Sequence, residues 1–165
     1  GGGADVVLRR AALRELQQRG ALVRDGFVWR LPEHEAQLDE ADAALLQRVR
    51  QVIEPYGLRP PPLSELQSLL GLPAADASAF LQRAAALGHL VQVAKNRFFL
   101  PETLVALSAI ARELAAASPD GRFEVIPFRD RSGIGRNLSI QVLEHFDRMR
   151  ITRFALERRT MLERD

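Results

Sequence analysis

Four nitrogen-rich side chains and two glycines lie within residues 128–137, directly before an amphipathic segment. They are Arg129, Arg131, Arg136 and Asn137, with Gly133 and Gly135 between them. Guanidinium groups donate hydrogen bonds in a planar fork that matches phosphate oxygens. A helix N-terminus adds free N–H groups and the positive end of a dipole. The stretch therefore predicts an anion-binding site, and a nucleic-acid backbone is one partner that offers such anions.

Other chemistries lack the residues that they need. The segment Gly133-Ile134-Gly135-Arg136 does not match the G-x-x-x-x-G-K-[ST] loop of nucleotide-binding proteins. The chain has no cysteine and only three, widely spaced histidines, a pattern that argues against a metal site. Neither a Ser-His-Asp triad nor a pair of catalytic carboxylates is apparent. We therefore predict no catalytic residue, no metal site and no cofactor in this chain, and that it is not an enzyme.

The composition, 47% hydrophobic and 27% charged, is typical of a globular protein. No apolar run reaches the roughly 18 residues that a membrane-spanning helix needs, and the N-terminus does not have the pattern of a signal peptide. The absence of cysteine fits a reducing compartment. We therefore expect a cytoplasmic protein with no membrane partner.

Charge is distributed unevenly, although the formal net charge is only +2. Residues 122–165 hold ten arginines against seven acidic residues, whereas residues 38–121 hold seven basic residues against nine acidic ones. Twenty-two arginines accompany a single lysine, Lys95, and a GC-rich genome is an alternative explanation of that ratio. Such a bias does not explain the clustering, so we expect a polyanionic partner at the C-terminal third.

A repeated unit positions these residues. Gly3, Gly71 and Gly133 each precede an amphipathic segment, and a leucine follows ten residues after each glycine. Two short β-like runs come after each segment. In the second and third copies the order is helix, helix, turn, helix and hairpin, which is the order of a winged helix. The predicted fold class is mainly α with small β wings (α+β), built from winged-helix domains in tandem.

The repeat divides the chain into three parts. Residues 1–37 are predicted to be the C-terminal part of an incomplete winged-helix domain, and residues 38–101 and 102–165 to be complete winged-helix domains. Because the first copy lacks its first two helices, we interpret the chain as a fragment of a longer protein. The turn of the middle copy, GLPAADASAF, contains no arginine. We therefore expect the first two parts to be spacers or protein-contact modules and the third to read nucleic acid.

Local signals predict the elements of the middle domain. Asp39 is expected to cap the first helix, Gly71 to end the second, and Lys95-Asn96 to form the hairpin turn. In the last domain, FEVI is predicted to be a strand, and PFRDRSG to be a short helix that Pro127 opens.

The third helix of the last domain is predicted to bury one face. The core residues expected there are Leu138, Val142, Leu143, Phe146 and Met149. His145 is expected on the exposed flank, where it could contact a partner. Arg158 and Arg159 in the wing add a second basic edge. Lone arginines on a small domain are usually solvated, but this clustering favours a binding role.

Residues 128–154 resemble the C-terminal end of the bacterial selenocysteine-specific translation elongation factors, the SelB family. That family typically has Phe-Arg-Asp, then Gly-x-x-Arg-Lys, then an apolar run ending in Leu-Glu-Tyr-Phe-Asp-Arg, and Thr-Arg at the wing. The matching residues here are Phe128-Arg129-Asp130, Gly133-Ile134-Gly135-Arg136-Asn137, Leu143-Glu144-His145-Phe146-Asp147-Arg148 and Thr152-Arg153. The segment VQVAKNRFFLPETL resembles the wing and exit of the preceding domain, so the resemblance covers most of the chain.

The resemblance implies a partner. In the SelB family the last of four winged-helix domains binds the selenocysteine insertion element, an mRNA hairpin beside a UGA codon. The RNA-binding residues that the resemblance and the basic cluster together indicate are Arg129, Arg131, Gly135, Arg136, Asn137, Arg153, Arg158 and Arg159. The sequence departs from the family pattern at Asn137, where Lys is usual, and at Arg150, where Gly is common.

The resemblance also implies what the parent protein does. The N-terminal part of the family is a GTPase that carries selenocysteinyl-tRNA, so GTP and Mg are expected there, and the ribosome and selenocysteinyl-tRNA are partners through the parent protein. The fragment itself is expected to be a monomer without catalysis. Two alternatives remain open from the residues alone. One is a winged-helix DNA-binding transcription regulator that binds duplex DNA as a symmetric dimer, and the other is a protein-interaction scaffold.

Overall fold

Residues 38–162 are described by a computed structural model, and they form two successive units of three helices and a β-hairpin. The predicted incomplete domain at residues 1–37 lies outside the described residues. The first unit contains α1 (Glu40–Ile53), α2 (Leu63–Leu70), α3 (Ala74–Ala86), β1 (Val91–Ala94) and β2 (Arg97–Phe99). The second unit contains α4 (Pro101–Ala117), β3 (Arg122–Phe123), α5 (Val125–Ser132), α6 (Arg136–Arg148), β4 (Thr152–Ala155) and β5 (Arg158–Met161). Helices with small antiparallel sheets in this order confirm the predicted winged-helix fold class.

The first unit follows the local signals of its sequence. The Asp39 side chain accepts a hydrogen bond from the Asp42 N–H at 2.7 Å, which confirms it as the N-cap of α1. Gly71 ends α2 in the left-handed conformation, with φ of 68°, which glycine adopts without a Cβ clash. Strands β1 and β2 pair antiparallel around the turn at Lys95-Asn96, as predicted.

The second unit corrects one prediction. Only Phe123 of the FEVI segment belongs to a strand, and α5 begins at Val125, two residues before Pro127. Val125 is half-buried and packs against the core, so its apolar side chain is buried in a helix as it would be in a strand. Pro127 then lies in the first turn of α5, where its missing N–H has no helical partner to lose.

The wing of the second unit is a three-stranded sheet in the order β3-β5-β4. Arg122 pairs with Thr160 and Phe123 with Arg159, so β3 extends the hairpin of β4 and β5 at its edge. This pairing fixes the wing against the segment that leads into α5, and therefore positions the wing relative to the helix pair α5 and α6.

The two units share buried apolar surface. One core lies within the first unit, around Phe80, Leu81 and Phe98. The other core belongs mainly to the second unit but also includes residues of the first unit's hairpin; its members include Val91, Val93, Phe99, Leu107, Phe128, Val142 and Phe146. Burial of each such side chain stabilises the fold by about 1.5–3 kcal/mol, so the hairpin holds the units together.

A polar contact reinforces this junction. Arg148 at the end of α6 donates a hydrogen bond from Nη2 to the Val93 carbonyl oxygen of β1 at 3.0 Å. Helix α6 therefore packs against the first unit as well as against its own. Within residues 38–162, none of the helices has the length and apolar character required to cross a bilayer.

Candidate nucleic-acid interface

Two glycines shape the entry to α6. Gly133 ends α5 with φ of 72°, and Gly135 occupies the N-cap position of α6 with φ of 89°. Ile134 between them is buried and anchors the loop in the core. No side chain caps α6, so its first N–H groups and the exposed side chains of Arg136 and Asn137 face outward together.

Arg129 and Arg131 lie on α5 and are held by surface ion pairs. Arg129 donates from Nε to Asp130 Oδ1 at 3.0 Å, and Arg131 pairs with Glu113 of α4. Their side chains are 38% and 53% exposed. Exposed pairs of this kind contribute at most about 1 kcal/mol, so a phosphate can replace the carboxylate at little cost.

The wing arginines differ from one another. Arg153 on β4 is exposed. Arg158 on β5 forms an ion pair with Asp120 at 3.0 Å, and its Nε lies 3.7 Å from Glu124 Oε2. Arg158 therefore ties β5 to the loop before α5, and its positive charge is partly neutralised.

Arg159 does not fit its predicted role as an RNA contact. Only 5% of the residue is exposed, and its guanidinium fork is filled by the carboxylate of Asp147. Its Cζ also lies 4.5 Å from the centre of the Phe154 ring. The sequence of the wing does not predict this ion pair, because the partner, Asp147, lies on α6. Arg159 is therefore a structural residue and not a candidate RNA contact.

His145 is a second correction. The prediction of an exposed flank is wrong, since 5% of the residue is exposed and its Nε2 has no hydrogen-bond partner among the described residues. Helix α6 packs against α5 and β4 of its own unit and also against β1 of the first unit. The first unit therefore covers a part of the α6 surface that a single winged helix would leave exposed. Burial, together with the nearby Arg148 charge, lowers the pKa of His145 to about 4. The imidazole is therefore neutral at pH 7.

The N-terminus of α6 opens into a cleft of about 420 Å³ between the two units. The described residues that line it are Arg59, Asn96, Arg97, Ile134, Gly135, Arg136, Asn137, Leu138 and Gln141. Three of them are arginines and none is acidic. The predicted residues that the structure brings together here are Gly135, Arg136 and Asn137, whereas Arg129, Arg131 and the wing arginines lie outside the lining.

Arg59 and Arg97 were missed by the prediction from sequence, which rested on the absence of arginine from the turn GLPAADASAF of the middle copy. Arg59 precedes the Pro60–Pro62 segment and Arg97 begins β2, so both lie far from that turn along the chain. The basic run Lys95-Asn96-Arg97 at the first wing was the available signal.

The pKa of Arg97 reflects burial and the proximity of Arg59. Burial and then the neighbouring charge of Arg59 lower the pKa of Arg97, while Glu65 acts in the opposite direction. Arg97 also donates from Nη1 to the carbonyl oxygen of Pro60. Two guanidinium groups are therefore held near each other, an arrangement that favours an anion between them.

Comparison with known proteins confirms the resemblance. A family model described as "Elongation factor SelB, winged helix" matches residues 115–161, which include α5, α6 and the wing. The selenocysteine-specific elongation factor of Haemophilus influenzae is 30% identical over 119 residues, and that of Escherichia coli is 31% identical over 125 residues. These matches cover 72% and 74% of this chain. The chain spans 19% of the length of each relative.

A solved structure is similar over a comparable region. It is the mRNA-binding domain of elongation factor SelB from E. coli in complex with SECIS RNA. The similarity has a TM-score of 0.65 and 29% identity, and it covers 78% of this chain and 100% of that chain. The likeness therefore extends over tandem units and not over a single winged helix alone.

Proposed function

Since this chain belongs to the C-terminal winged-helix region of the SelB elongation factors, we propose that it binds an mRNA hairpin, the selenocysteine insertion element. The related E. coli domain is in complex with SECIS RNA, and the similarity covers the whole of that domain and 78% of this chain. Binding would place the parent protein beside a UGA codon, where selenocysteinyl-tRNA is delivered. The fragment contributes recognition and no catalysis.

The observation that carries this proposal is the uncapped start of α6, where Gly135, Arg136 and Asn137 face an acid-free cleft. An RNA helix of A form has a major groove too narrow for side chains to read, so a protein helix recognises a loop or a bulge. An N-terminus with free N–H groups and an exposed arginine suits the phosphates and a splayed base of such a loop. Hence α6 would approach the hairpin end-on.

The remaining candidate contacts would surround this centre. They are Arg129, Arg131, Arg153 and Arg158. Exposed surface pairs hold Arg129 and Arg131, and Arg153 has an exposed side chain. Arg158 is already paired with Asp120, so we expect it to contribute least. Together they would provide a sequence-independent attraction to the backbone.

The functions of the parent protein are part of the same proposal. GTP and Mg would bind outside this chain, in a GTPase part of the elongation factor, and the ribosome and selenocysteinyl-tRNA would be its partners. We further propose that the protein acts in the cytoplasm and that the fragment binds RNA as a monomer without a cofactor.

The test is selection followed by substitution. A pool of RNA hairpins with randomised loops and bulges is selected on the fragment, and the affinity of the enriched hairpin is measured. Arg136→Ala should weaken binding about tenfold, because it removes a charge at the centre of the site. Arg112→Ala is the matched control, since Arg112 is an exposed arginine on α4 that does not line the cleft.

Two results would contradict the proposal. Equal affinities for Arg136→Ala and Arg112→Ala would remove α6 from the interface. A preference for duplex DNA over every selected hairpin, with two chains in the complex, would instead support a dimeric DNA-binding regulator. The mass of the complex and competition with duplex DNA distinguish these outcomes.

A further inference from the structure

Arg59 of the first unit reaches the start of α6 in the second. Its backbone is held by an N–H···O bond to the Tyr56 carbonyl at 3.3 Å and by the Pro60–Pro62 segment that follows. A Cβ placed on Gly135 would lie 3.7 Å from both terminal nitrogens of Arg59. The guanidinium therefore lies where any side chain at position 135 would touch it, although the two residues are 76 positions apart.

Arg97 completes a basic wall on the side of the first unit. It begins β2, and its Nη1 is fixed by the Pro60 carbonyl. Asn96 at the wing turn lies beside it in the cleft and adds an amide. The first unit thus contributes two cations and one amide to the same space that Arg136 and Asn137 enter from the second unit.

The cleft arginines form no ion pairs with carboxylates, unlike several arginines elsewhere in the described residues. Elsewhere Arg50 pairs with Glu102, Arg83 with Asp42, Arg131 with Glu113, and Arg158 with Asp120. Within residues 38–162, no carboxylate lies within ion-pair distance of Arg59, Arg97 or Arg136. Arg59 and Arg97 repel each other, although Glu65 acts in the opposite direction on Arg97, and an anion bound in the cleft would relieve that repulsion.

The walls of the cleft are held in place by the junction of the units. Val91 and Val93 of β1 are buried in the core of the second unit, and Arg148 donates to the Val93 carbonyl at 3.0 Å. A volume of about 420 Å³ falls within the range of small-ligand sites and can accept part of a nucleotide. Preorganised donors lose less freedom when a ligand binds.

From this geometry we infer that the RNA backbone passes through the cleft, so that Arg59 and Arg97 of the first unit contact phosphates of the hairpin bound by Arg136. The inference rests on the proposed function and extends its site to the unit that the sequence predicted to be a spacer or a protein-contact module. The two units then form one composite interface, and hairpin affinity depends on both.

The experiment measures hairpin binding by Arg59→Ala and Arg97→Ala in the full chain, as a function of salt. Arg48→Ala is the matched control, because Arg48 is an exposed arginine of the first unit that does not line the cleft. Each cleft variant should lose about tenfold in affinity and reduce the slope of log K against log salt by roughly 0.7–0.9, which is the contribution of one phosphate contact.

Structural damage is separated from lost contact by a conservative variant. Arg97 holds the Pro60 carbonyl, so Arg97→Ala can disturb the fold, and thermal unfolding is recorded for every variant. Arg59 has no such backbone role, and Arg59→Lys should restore the salt slope because it restores the charge. Ethylation of hairpin phosphates should identify a position that interferes with binding of the unsubstituted chain but not of Arg59→Ala.

The outcomes separate this inference from the proposed function. If Arg136→Ala weakens binding while Arg59→Ala matches Arg48→Ala in affinity and slope, the composite interface is wrong and the hairpin site stands. If Arg136→Ala and both cleft variants all match their controls, the proposed function and this inference fail together.

Discussion

Asp147 of α6 and Arg159 of β5 form a bidentate ion pair, in which Arg159 Nη2 lies 2.8 Å from Asp147 Oδ2. Arg159 Nε donates to both carboxylate oxygens at 3.1 Å. Thr152 of β4 donates to Asp147 Oδ1 at 2.6 Å. One carboxylate on the helix therefore holds both strands of the wing hairpin, and the orientation of the wing depends on it.

Arg159→Ala should destabilise the fold by about 3 kcal/mol, because it leaves the half-buried Asp147 carboxylate without its cationic partner and with only the Thr152 hydroxyl as a side-chain donor. Urea denaturation measures this change. Arg158→Ala is the control on the same strand, and its more exposed pair with Asp120 should contribute about 1 kcal/mol or less. Similar losses for the two variants would show that burial of Arg159 adds nothing.

Arg150→Gly should stabilise the protein by up to about 1 kcal/mol. Arg150 has φ of 63°, a left-handed conformation that costs an L-residue roughly 1–2 kcal/mol, and the greater freedom of glycine in the unfolded chain offsets part of the gain. The first unit has Gly88, with φ of 87°, at the corresponding helix exit. Gly88→Arg is the reciprocal change and should destabilise. A loss of stability on Arg150→Gly, measured by thermal unfolding, would mean that the arginine side chain outweighs its backbone strain.

His145 should make the fold acid-sensitive. Its pKa is about 4 in the folded protein and about 6.5 in an unfolded chain, so the unfolded state binds more protons between these values. Stability is therefore complete above pH 6.5 and declines as pH falls towards 4, by roughly 3 kcal/mol from this group.

His145→Phe removes this contribution, so the difference in unfolding free energy between the variant and the unsubstituted chain should change by roughly that amount between pH 7 and pH 4. Proton NMR of the unsubstituted chain should show His145 titrating near pH 4. Parallel stability curves for the two chains, or an NMR pKa near 6.5, would contradict the burial of a neutral imidazole.

Hairpin binding should depend strongly on salt. The arginines that would contact phosphates are Arg59, Arg97, Arg129, Arg131, Arg136, Arg153 and Arg158. Each phosphate contact contributes roughly 0.7–0.9 to the slope of log K against log salt, so a slope between about −3 and −6 is expected when some or all of them engage. Filter binding over a range of KCl concentrations measures it. A slope near zero would indicate that base stacking and hydrogen bonds to bases dominate instead.

Local chemistry made much of the fold predictable. Asp39 caps α1 because a carboxylate accepts a bond from a free N–H, and Gly71 and Gly133 end helices because they tolerate positive φ. These signals depend on neighbours within a few residues. The strand prediction for FEVI was wrong for the same reason, since its apolar residues are compatible with a strand or a helix. Packing of Val125 against the core accompanies the helix that begins there.

The residues in their order were enough to predict the succession of helices and hairpins, the basic character of the last unit and the position of Arg136 and Asn137 at the start of α6. The burial of Arg159 and His145, and the presence of Arg59 and Arg97 at the candidate site, follow only from how the elements pack together. These outcomes depend on residues that are distant along the chain but close in space, such as Arg59 and Gly135. Periodicity reports which face of a helix is apolar, but it carries no information on which other element will cover that face or extend a side chain across it.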